Sequence, residues 1–188
     1  MSATVAVILA AGGGSRYAGP GHKLDVELDG RPLLHRAVDA AVAATIGRVV
    51  VVVNELVTTP LPATVDVIAN AGWTAGQMSS LRLGLDHVAE LGGEVAVIGL
   101  GDQPGITPQA WRDVAVTDAA IAVATYDSRR GHPVRLHRDV WPLLPEKGDE
   151  GARRLMRLRP DLVREVPCAG QPTDIDTVEE LRRWPSNS

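Results

Sequence analysis

Residues 5–23 read VAVILAAGGGSRYAGPGHK, and this stretch decides the fold. It opens with a run of aliphatic residues, which is typical of a strand buried on both faces of a parallel sheet. The run breaks into three glycines at 12–14, and Arg16 and Lys23 follow. Glycine lets a backbone approach a ligand closely, and clustered backbone N–H groups form an anion-binding nest. The stretch therefore predicts a first strand that ends in a loop for a polyphosphate.

The two common phosphate motifs do not account for this loop. A Walker loop needs Ser or Thr after its lysine, and here Leu24 follows Lys23. The dinucleotide pattern needs a glycine at position 17, which is Tyr17. This mismatch disfavours a plain NAD-dependent oxidoreductase. An ordinary glycine-rich connection is the alternative, but five glycines, an arginine and a lysine within residues 12–23 are dense for a mere connection.

The composition excludes several classes of protein. The 188 residues are 45% hydrophobic and 22% charged, as expected of one soluble globular domain spanning 1–188, with residues 184–188 as a frayed tail. The net charge of −4 disfavours nonspecific nucleic-acid binding, which requires an excess of positive charge. The N-terminal run is too short and too poor in charge to predict a signal peptide or a membrane span. With the single Cys168, these features predict a cytoplasmic protein that binds neither nucleic acid nor membrane.

The rest of the chain alternates between strand and helix patterns. Strands are predicted over residues 5–9, 48–53, 64–68, 94–100, 120–125 and 163–167. Helices are predicted to begin near Pro32, at a Ser79 or Ser80 cap, after Thr107, near Asp139 and at an Asp149 cap, and Thr177 with Glu180 forms a capping box before the last helix. This alternation predicts a single α/β domain with a mostly parallel sheet flanked by helices.

Acidic residues from two distant parts of the chain suggest a metal site. Asp102 directly follows a buried strand, where ligands of open α/β sheets bind. Gln103 and Pro104 do not begin a helix, which disfavours a capping role. Further on, Asp174 and Asp176 flank Ile175, and in an extended segment alternation points both carboxylates to one side. Magnesium is usually held by one or two carboxylates together with substrate phosphates.

The ordered motifs of the chain resemble those of the molybdenum cofactor cytidylyltransferases and their MobA-like neighbours. The matching segments are LAAGGGSR at 9–16, the N-x-x-W-x-x-G-x-x-x-S-L pattern at 70–81, LGDQP at 100–104, GHPV at 131–134, GDEGAR at 148–153 and DIDT at 174–177. The resemblance runs from residue 5 to residue 184. It implies a GT-A-like, Rossmann-related nucleotidyltransferase fold.

The resemblance also implies roles for individual residues. The segment from Asn70 would close over the base and ribose, and the nucleotide-binding set is Leu9, Ala10, Ala11, Gly12, Gly14, Arg16, Lys23, Asn70, Gly76 and Ser80. Arg16, Lys23 and Asp102 are the implied catalytic residues. Magnesium would be bound by Asp102 and Asp174, with Asp176 as the alternative ligand. The acceptor-binding set is Gly131, His132, Pro133 and Arg153. For His132 a general-base role is one interpretation, but a plain surface or loop histidine is favoured over it, because no carboxylate partner can be identified from the sequence.

The implied reaction transfers CMP from CTP to the phosphate of the molybdenum cofactor and releases pyrophosphate. CTP is favoured over GTP because Ala11 stands where guanylyltransferase relatives tend to carry glycine, and its methyl group narrows the pocket. A transferase acting on a sugar phosphate or another small phosphorylated metabolite is the nearest alternative. A noncatalytic nucleotide- or cofactor-binding chaperone is the other alternative. Such a protein would be expected to lack metal-binding carboxylates, whereas Asp102 and Asp174 are present. The expected partners are the nucleotide, a molybdopterin-type acceptor, and a molybdoenzyme or its chaperone.

Overall fold

A computed structural model describes residues 3–184 of the chain. Its strands are β1 Thr4–Ala10, β2 Glu27–Leu28, β3 Arg31–Pro32, β4 Arg48–Val53, β5 Asp66–Ala69, β6 Val95–Leu100, β7 Gly105–Ile106, β8 Ile121–Tyr126, β9 Arg129–His137, β10 Val163–Pro167 and β11 Gly170–Gln171. Its α-helices are α1 Leu33–Ala44, α2 Gln77–Glu90, α3 Pro108–Ala115, α4 Arg153–Leu158 and α5 Val178–Arg183. Seven strands form one sheet in the order β10-β8-β9-β6-β1-β4-β5.

The centre of the sheet follows from its aliphatic strands. β1 pairs in parallel with β4 on one side and with β6 on the other, and all three strands are buried on both faces. Such strands must be covered by helices. Leu34 of α1 and Trp111 of α3 pack into the core on one face, whereas Leu81 of α2 and Met156 of α4 pack on the other. The predicted mostly parallel α/β fold is therefore confirmed.

One strand of the sheet, β9, runs antiparallel to its neighbours. β9 lies between β6 and β8 and runs antiparallel to both. Its first residues therefore reach the edge at which the parallel strands end. The sequence does not predict β9, because Gly131 and Pro133 argue against a strand. Pro133 is tolerated because it falls at the irregularity in the β8–β9 pairing, where no ladder hydrogen bond from its nitrogen is needed.

The start of α2 differs from the prediction. The helix begins at Gln77, after Gly76 with a φ of +101°, so Ser79 and Ser80 lie inside its first turn rather than capping it. The first N–H groups of the helix donate to a loop that is distant in sequence: Gln77 donates to Asp149 Oδ1 at 3.3 Å, and Met78 donates to the Gly148 carbonyl at 3.0 Å. Asp149 thus caps α2, and the prediction that it caps the helix following it is wrong.

Other predicted boundaries agree with the structure. Thr107 caps α3, and Thr177 forms its capping box with Glu180. The extent of the domain stays a prediction, and the tail at 185–188 lies outside the described residues. Within residues 3–184, no helix has the length and apolar character needed to cross a bilayer.

Candidate active site

The glycine-rich loop follows β1 and is held from behind by two buried side chains. His22 Nε2 lies 2.9 Å from the Gly12 carbonyl oxygen. Asn54 Nδ2 donates to the carbonyls of Ala11 at 2.9 Å and Gly12 at 3.3 Å. Within the described chain, the backbone N–H groups of residues 12–16 donate no backbone hydrogen bond. The loop therefore presents a series of free donors suited to an anion.

Lys23 lies between carboxylates that come from two distant segments. Its Nζ is 2.6 Å from Asp102 Oδ2 and 2.7 Å from Asp176 Oδ1, and the lysine side chain is only 9% exposed. Burial alone would lower the pKa of Lys23, but the two carboxylates more than offset that effect and raise the pKa above its usual value. Arg16, which is 73% exposed, pairs with Asp176 from the solvent side at 2.8 Å. A lysine in a glycine-rich loop is expected to be solvated, and for Lys23 that expectation is wrong.

The third carboxylate, Asp174, lies beside this network. Ile175 is buried in the core, and of the flanking aspartates Asp176 contacts Lys23 whereas Asp174 contacts Gln103 in the loop after β6. Asp174 Oδ1 accepts a hydrogen bond of 2.6 Å from Gln103 Nε2. Burial, and then the negative charge of Asp102, raises the pKa of the Asp174 carboxyl above its usual range.

The chemistry of this donor set fits a divalent cation bound together with phosphates. The Lys23 ammonium already marks a position where a positive charge is held between two carboxylates. Across residues 3–184, no group of three or more His, Cys, Asp or Glu side chains is arranged to hold a metal by itself. Magnesium needs only one or two carboxylates when substrate phosphates complete its coordination. Asp102, with Asp174 or Asp176, could supply that share.

A first cavity, which we call the loop cavity, opens over the glycine-rich loop and measures about 320 Å³. It is lined by Leu9, Ala10, Ala11, Gly12, Gly13, Lys23, Leu24, Trp73, Thr74, Gly76, Gln77, Ser80, Leu100, Asp102 and Asp149. The Trp73 ring covers Gly13 so closely that a Cβ there would lie 2.6 Å from a ring carbon. Trp73 Nε1 donates to the Glu55 carboxylate. The cavity thus combines backbone donors, a cation, carboxylates and an aromatic ring.

A second cavity, the hairpin cavity, lies against the β8–β9 hairpin and measures about 220 Å³. Its lining is Leu9, Gln77, Leu81, Ile98, Val123, Arg130, Gly131, His132, Val134, Glu150, Gly151, Ala152, Arg153, Met156 and Arg157. Leu9 and Gln77 line both cavities. The two cavities are therefore neighbours that share one wall.

The polar side chains of the hairpin cavity differ in whether they are already paired. Arg157 binds the Glu150 carboxylate at 2.7 and 2.9 Å. Arg153 has no carboxylate within salt-bridge distance in the described part of the chain. Burial, with the nearby positive charge of Arg153, lowers the pKa of His132 to about 4. His132 is therefore neutral at pH 7, and Arg153 is available to an anion.

The segment from Asn70 is braced internally. Asn70 Nδ2 donates to Ser79 Oγ and to Ser80 Oγ, both at 2.9 Å, and Asn70 Oδ1 accepts from the Gly72 nitrogen. All three bonds hold the turn that carries Trp73 above Gly13. Asn70 is itself buried, with 6% of its surface exposed. Its contacts shape the segment rather than the wall of the cavity.

The comparison with known protein families identifies the chain. The family model described as the MobA-like NTP transferase domain matches residues 6–166, which is most of the sequence. The chain belongs to this family. It is a nucleotidyltransferase-family domain, in agreement with the resemblance of its motifs. No curated protein matches the chain.

Solved structures support this MobA-like assignment. A homologue of Mycobacterium tuberculosis Rv0371c from Mycobacterium sp. strain JC1 is 29% identical, with a TM-score of 0.80 over 96% of this chain and 93% of that one. Rv0371c from M. tuberculosis H37Rv, described as a complex with manganese, is 25% identical, with a TM-score of 0.78 over 97% of each chain. A nucleotidyl transferase from Methanothermobacter thermautotrophicus shares the fold at 24% identity and a TM-score of 0.79, over 96% and 95% of the chains.

Most of the predicted residues of this MobA-like domain line one of the two cavities. Leu9, Ala10, Ala11, Gly12, Lys23, Gly76, Ser80 and Asp102 line the loop cavity, and Gly131, His132 and Arg153 line the hairpin cavity. The exceptions are Gly14, Arg16, Asn70, Asp174, Asp176 and Pro133, which line neither. Asp176 still pairs with Lys23, and Arg16 pairs with Asp176, whereas Asp174 bonds to Gln103, which follows Asp102 in the chain. Their roles in binding and catalysis stay predictions.

Sequence reasoning missed several residues of the site. Asn54 follows the buried strand β4 at the same sheet edge as Asp102, so the same signal could have found it. The positions of His22, Gln77 and Asp149 depend on contacts across 10 to 72 residues, for which the sequence gives no local signal. His132 lies on a strand and lines a cavity, so the interpretation as a loop histidine is wrong.

Proposed function

We propose that this MobA-like domain is a magnesium-dependent nucleotidyltransferase that moves CMP from CTP to the phosphate of a molybdopterin-type acceptor. The observation that carries the proposal is the pair of adjoining cavities that share Leu9 and Gln77. One is rich in backbone donors and carboxylates, as a metal–triphosphate complex requires. The other contains the available Arg153 and an apolar floor. A donor nucleotide and an acceptor can therefore meet across one shared wall.

The proposed reaction is an in-line displacement at the α-phosphorus. An oxygen of the acceptor phosphate forms a bond to that phosphorus as the bond to the bridging oxygen of the leaving pyrophosphate breaks. Lys23 and Arg16 neutralise negative charge on the phosphates, and the loop N–H groups orient them. Magnesium, when bound by Asp102 with Asp174 or Asp176, would further neutralise the phosphates and polarise them.

The proposed roles of Arg153 and His132 follow from their charge states. A phosphate monoester has its second pKa near 6 and is mostly a dianion at pH 7, so it attacks without a general base. Neutral His132 is then a hydrogen-bonding group for the acceptor rather than a base. Arg153 supplies the positive charge that binds the acceptor phosphate. No covalent nucleophile is required.

A substrate screen tests the proposed function directly. The purified protein is incubated with CTP, GTP, ATP or UTP and magnesium, with molybdenum cofactor, with a sugar phosphate or with no acceptor, and pyrophosphate is measured. We expect release only with a nucleotide and the cofactor together. Release with sugar phosphates instead would favour the related transferase. Nucleotide or cofactor binding without any release would favour a noncatalytic chaperone that passes cargo to a molybdoenzyme.

We predict that CTP is used in preference to GTP. Ala11 lines the loop cavity, and one methyl group in a pocket supplies about 1–3 kcal/mol of discrimination. The measurement is kcat/KM for both nucleotides with one acceptor, repeated in Ala11→Gly. The variant should narrow the gap. Better use of GTP by the wild type would overturn the cytidylyl assignment, whereas an unchanged preference in the variant would refute the steric explanation.

We predict that Arg153→Gln raises the acceptor KM about 10- to 100-fold and leaves the KM for CTP unchanged. The reason is the loss of a charge-assisted hydrogen bond worth about 1.5–3 kcal/mol. Arg154→Gln is the matched control, because Arg154 neighbours Arg153 but lines a separate surface groove. Equal effects of the two variants would show that only the net charge of the helix matters.

A further inference from the structure

Two buried polar side chains converge on one backbone carbonyl of the glycine-rich loop. His22 and Asn54 are 8% and 2% exposed, and both lie within hydrogen-bonding distance of the Gly12 oxygen. His22 Nδ1 accepts a hydrogen bond of 3.3 Å from the Leu24 nitrogen, which assigns the proton to Nε2 and makes that atom the donor to Gly12. The carbonyl is thus fixed by two donors from outside the loop.

Fixing this carbonyl also fixes the next N–H group. In a trans peptide, the C=O of one residue and the N–H of the next point in opposite directions, and the Gly12–Gly13 peptide is trans. The N–H of Gly13 therefore points away from His22 and Asn54. Both glycines line the loop cavity. Since neither has a Cβ, this peptide could flip at little steric cost, and the side-chain hydrogen bonds decide its orientation.

We propose that His22 and Asn54 are positioning residues that hold the Gly13 N–H toward the triphosphate. The inference rests on the proposed function, in that the loop cavity binds the phosphates of a nucleotide. His22 touches no reacting atom and acts through the loop backbone. Its two ring nitrogens have separate tasks: Nε2 orients the loop, and Nδ1 caps the short 3-10 helix Lys23–Asp25.

The two tasks can be separated by substitution. In His22→Gln the side-chain amide nitrogen takes the place of Nε2, and the bond from Leu24 is lost. In His22→Asn the amide oxygen takes the place of Nδ1, and the bond to Gly12 is lost. Asn54→Asp is a second test, because it loses both donated bonds but keeps the oxygen that accepts from the Leu56 nitrogen.

The experiment measures the Kd of CTP and of inorganic tripolyphosphate by calorimetry, along with the melting temperature. We expect His22→Asn and Asn54→Asp to weaken both ligands about tenfold. His22→Gln should bind within about twofold of wild type although its melting temperature falls. A purely structural role would instead make affinity follow the melting temperature in all three variants.

The outcomes distinguish this inference from the proposed function. If the wild type binds both ligands but His22→Asn binds them equally well, the positioning role is overturned and the proposed function stands. If tripolyphosphate binding follows the expected pattern but no nucleotide is turned over, the positioning role stands and the proposed function fails. If the wild type binds neither CTP nor tripolyphosphate, both fail.

Discussion

Replacing Asp102 with asparagine should lower kcat about a thousandfold or more while the protein remains folded. Asp102 follows β6, and its carboxylate is shared with Lys23 at the edge of the loop cavity. Metal stabilisation of transition-state charge is worth several kcal/mol, and about 1.4 kcal/mol corresponds to tenfold in rate. Asparagine keeps the shape but removes the charge. Lys23 retains its second partner, Asp176, so the local structure should persist.

The measurement is single-turnover pyrophosphate release at saturating CTP and acceptor, across a magnesium titration. Asp39→Asn is the matched control, since it makes the same chemical change in an exposed ion pair with Arg31, a kind of pair that contributes little to stability. The control should retain wild-type kinetics and melting temperature. Near wild-type turnover of Asp102→Asn at saturating magnesium would refute the assignment of Asp102 as a metal ligand.

Lys23→Met should both weaken triphosphate binding and destabilise the free protein. The change leaves Asp102 and Asp176 facing each other without the ammonium that separates them. A lost hydrogen bond to a charged group costs about 1.5–3 kcal/mol, which for a chain of this size lowers the melting temperature by roughly 3–12 °C. The sequence alone suggests little effect on stability, because a lysine in a glycine-rich loop is expected to be solvated.

Magnesium or manganese should restore part of the lost stability in this variant. A divalent cation can take the position between the carboxylates that the ammonium leaves, so the melting temperature of Lys23→Met should rise more with added metal than that of wild type. Arg16→Gln is the contrasting variant: its exposed single pair should contribute little to stability while still aiding nucleotide binding. An unchanged melting temperature for Lys23→Met would contradict the buried role described here.

Local signals were enough to predict the sheet and much of the site. Aliphatic runs identified β1, β4, β6 and β8, because strands buried on both faces are continuously apolar in sequence. The position of Asp102 was predicted from the end of β6. The alternation of side chains around the buried Ile175 predicted that Asp174 and Asp176 point to the same side. These inferences needed only the period of the strand and the rule for ligands at sheet edges.

Two of the failures involve partners far apart in the chain. The cap of α2 comes from Asp149, 72 residues away, and the contacts of Lys23 span 79 and 153 residues. β9 was not predicted because Gly131 and Pro133 both disfavour a continuous strand when the sequence alone is considered. In the structure, β9 is nevertheless paired through its backbone with β6 on one side and β8 on the other.

The reversed strand β9 belongs to a segment that supplies most of the polar lining of one cavity and little of the other. The polar lining of the hairpin cavity, apart from Gln77, comes from the contiguous segment 121–158, whereas the loop cavity takes only Asp149 from that segment. Under the proposed function, in which the hairpin cavity binds the acceptor, acceptor recognition would diverge through changes confined to residues 121–158, while most of the loop cavity stays unchanged. For protein engineering, the proposed function makes residues 121–158 a segment to graft: taking it from a relative with another acceptor should transfer the choice of acceptor and leave the choice of nucleotide with the host.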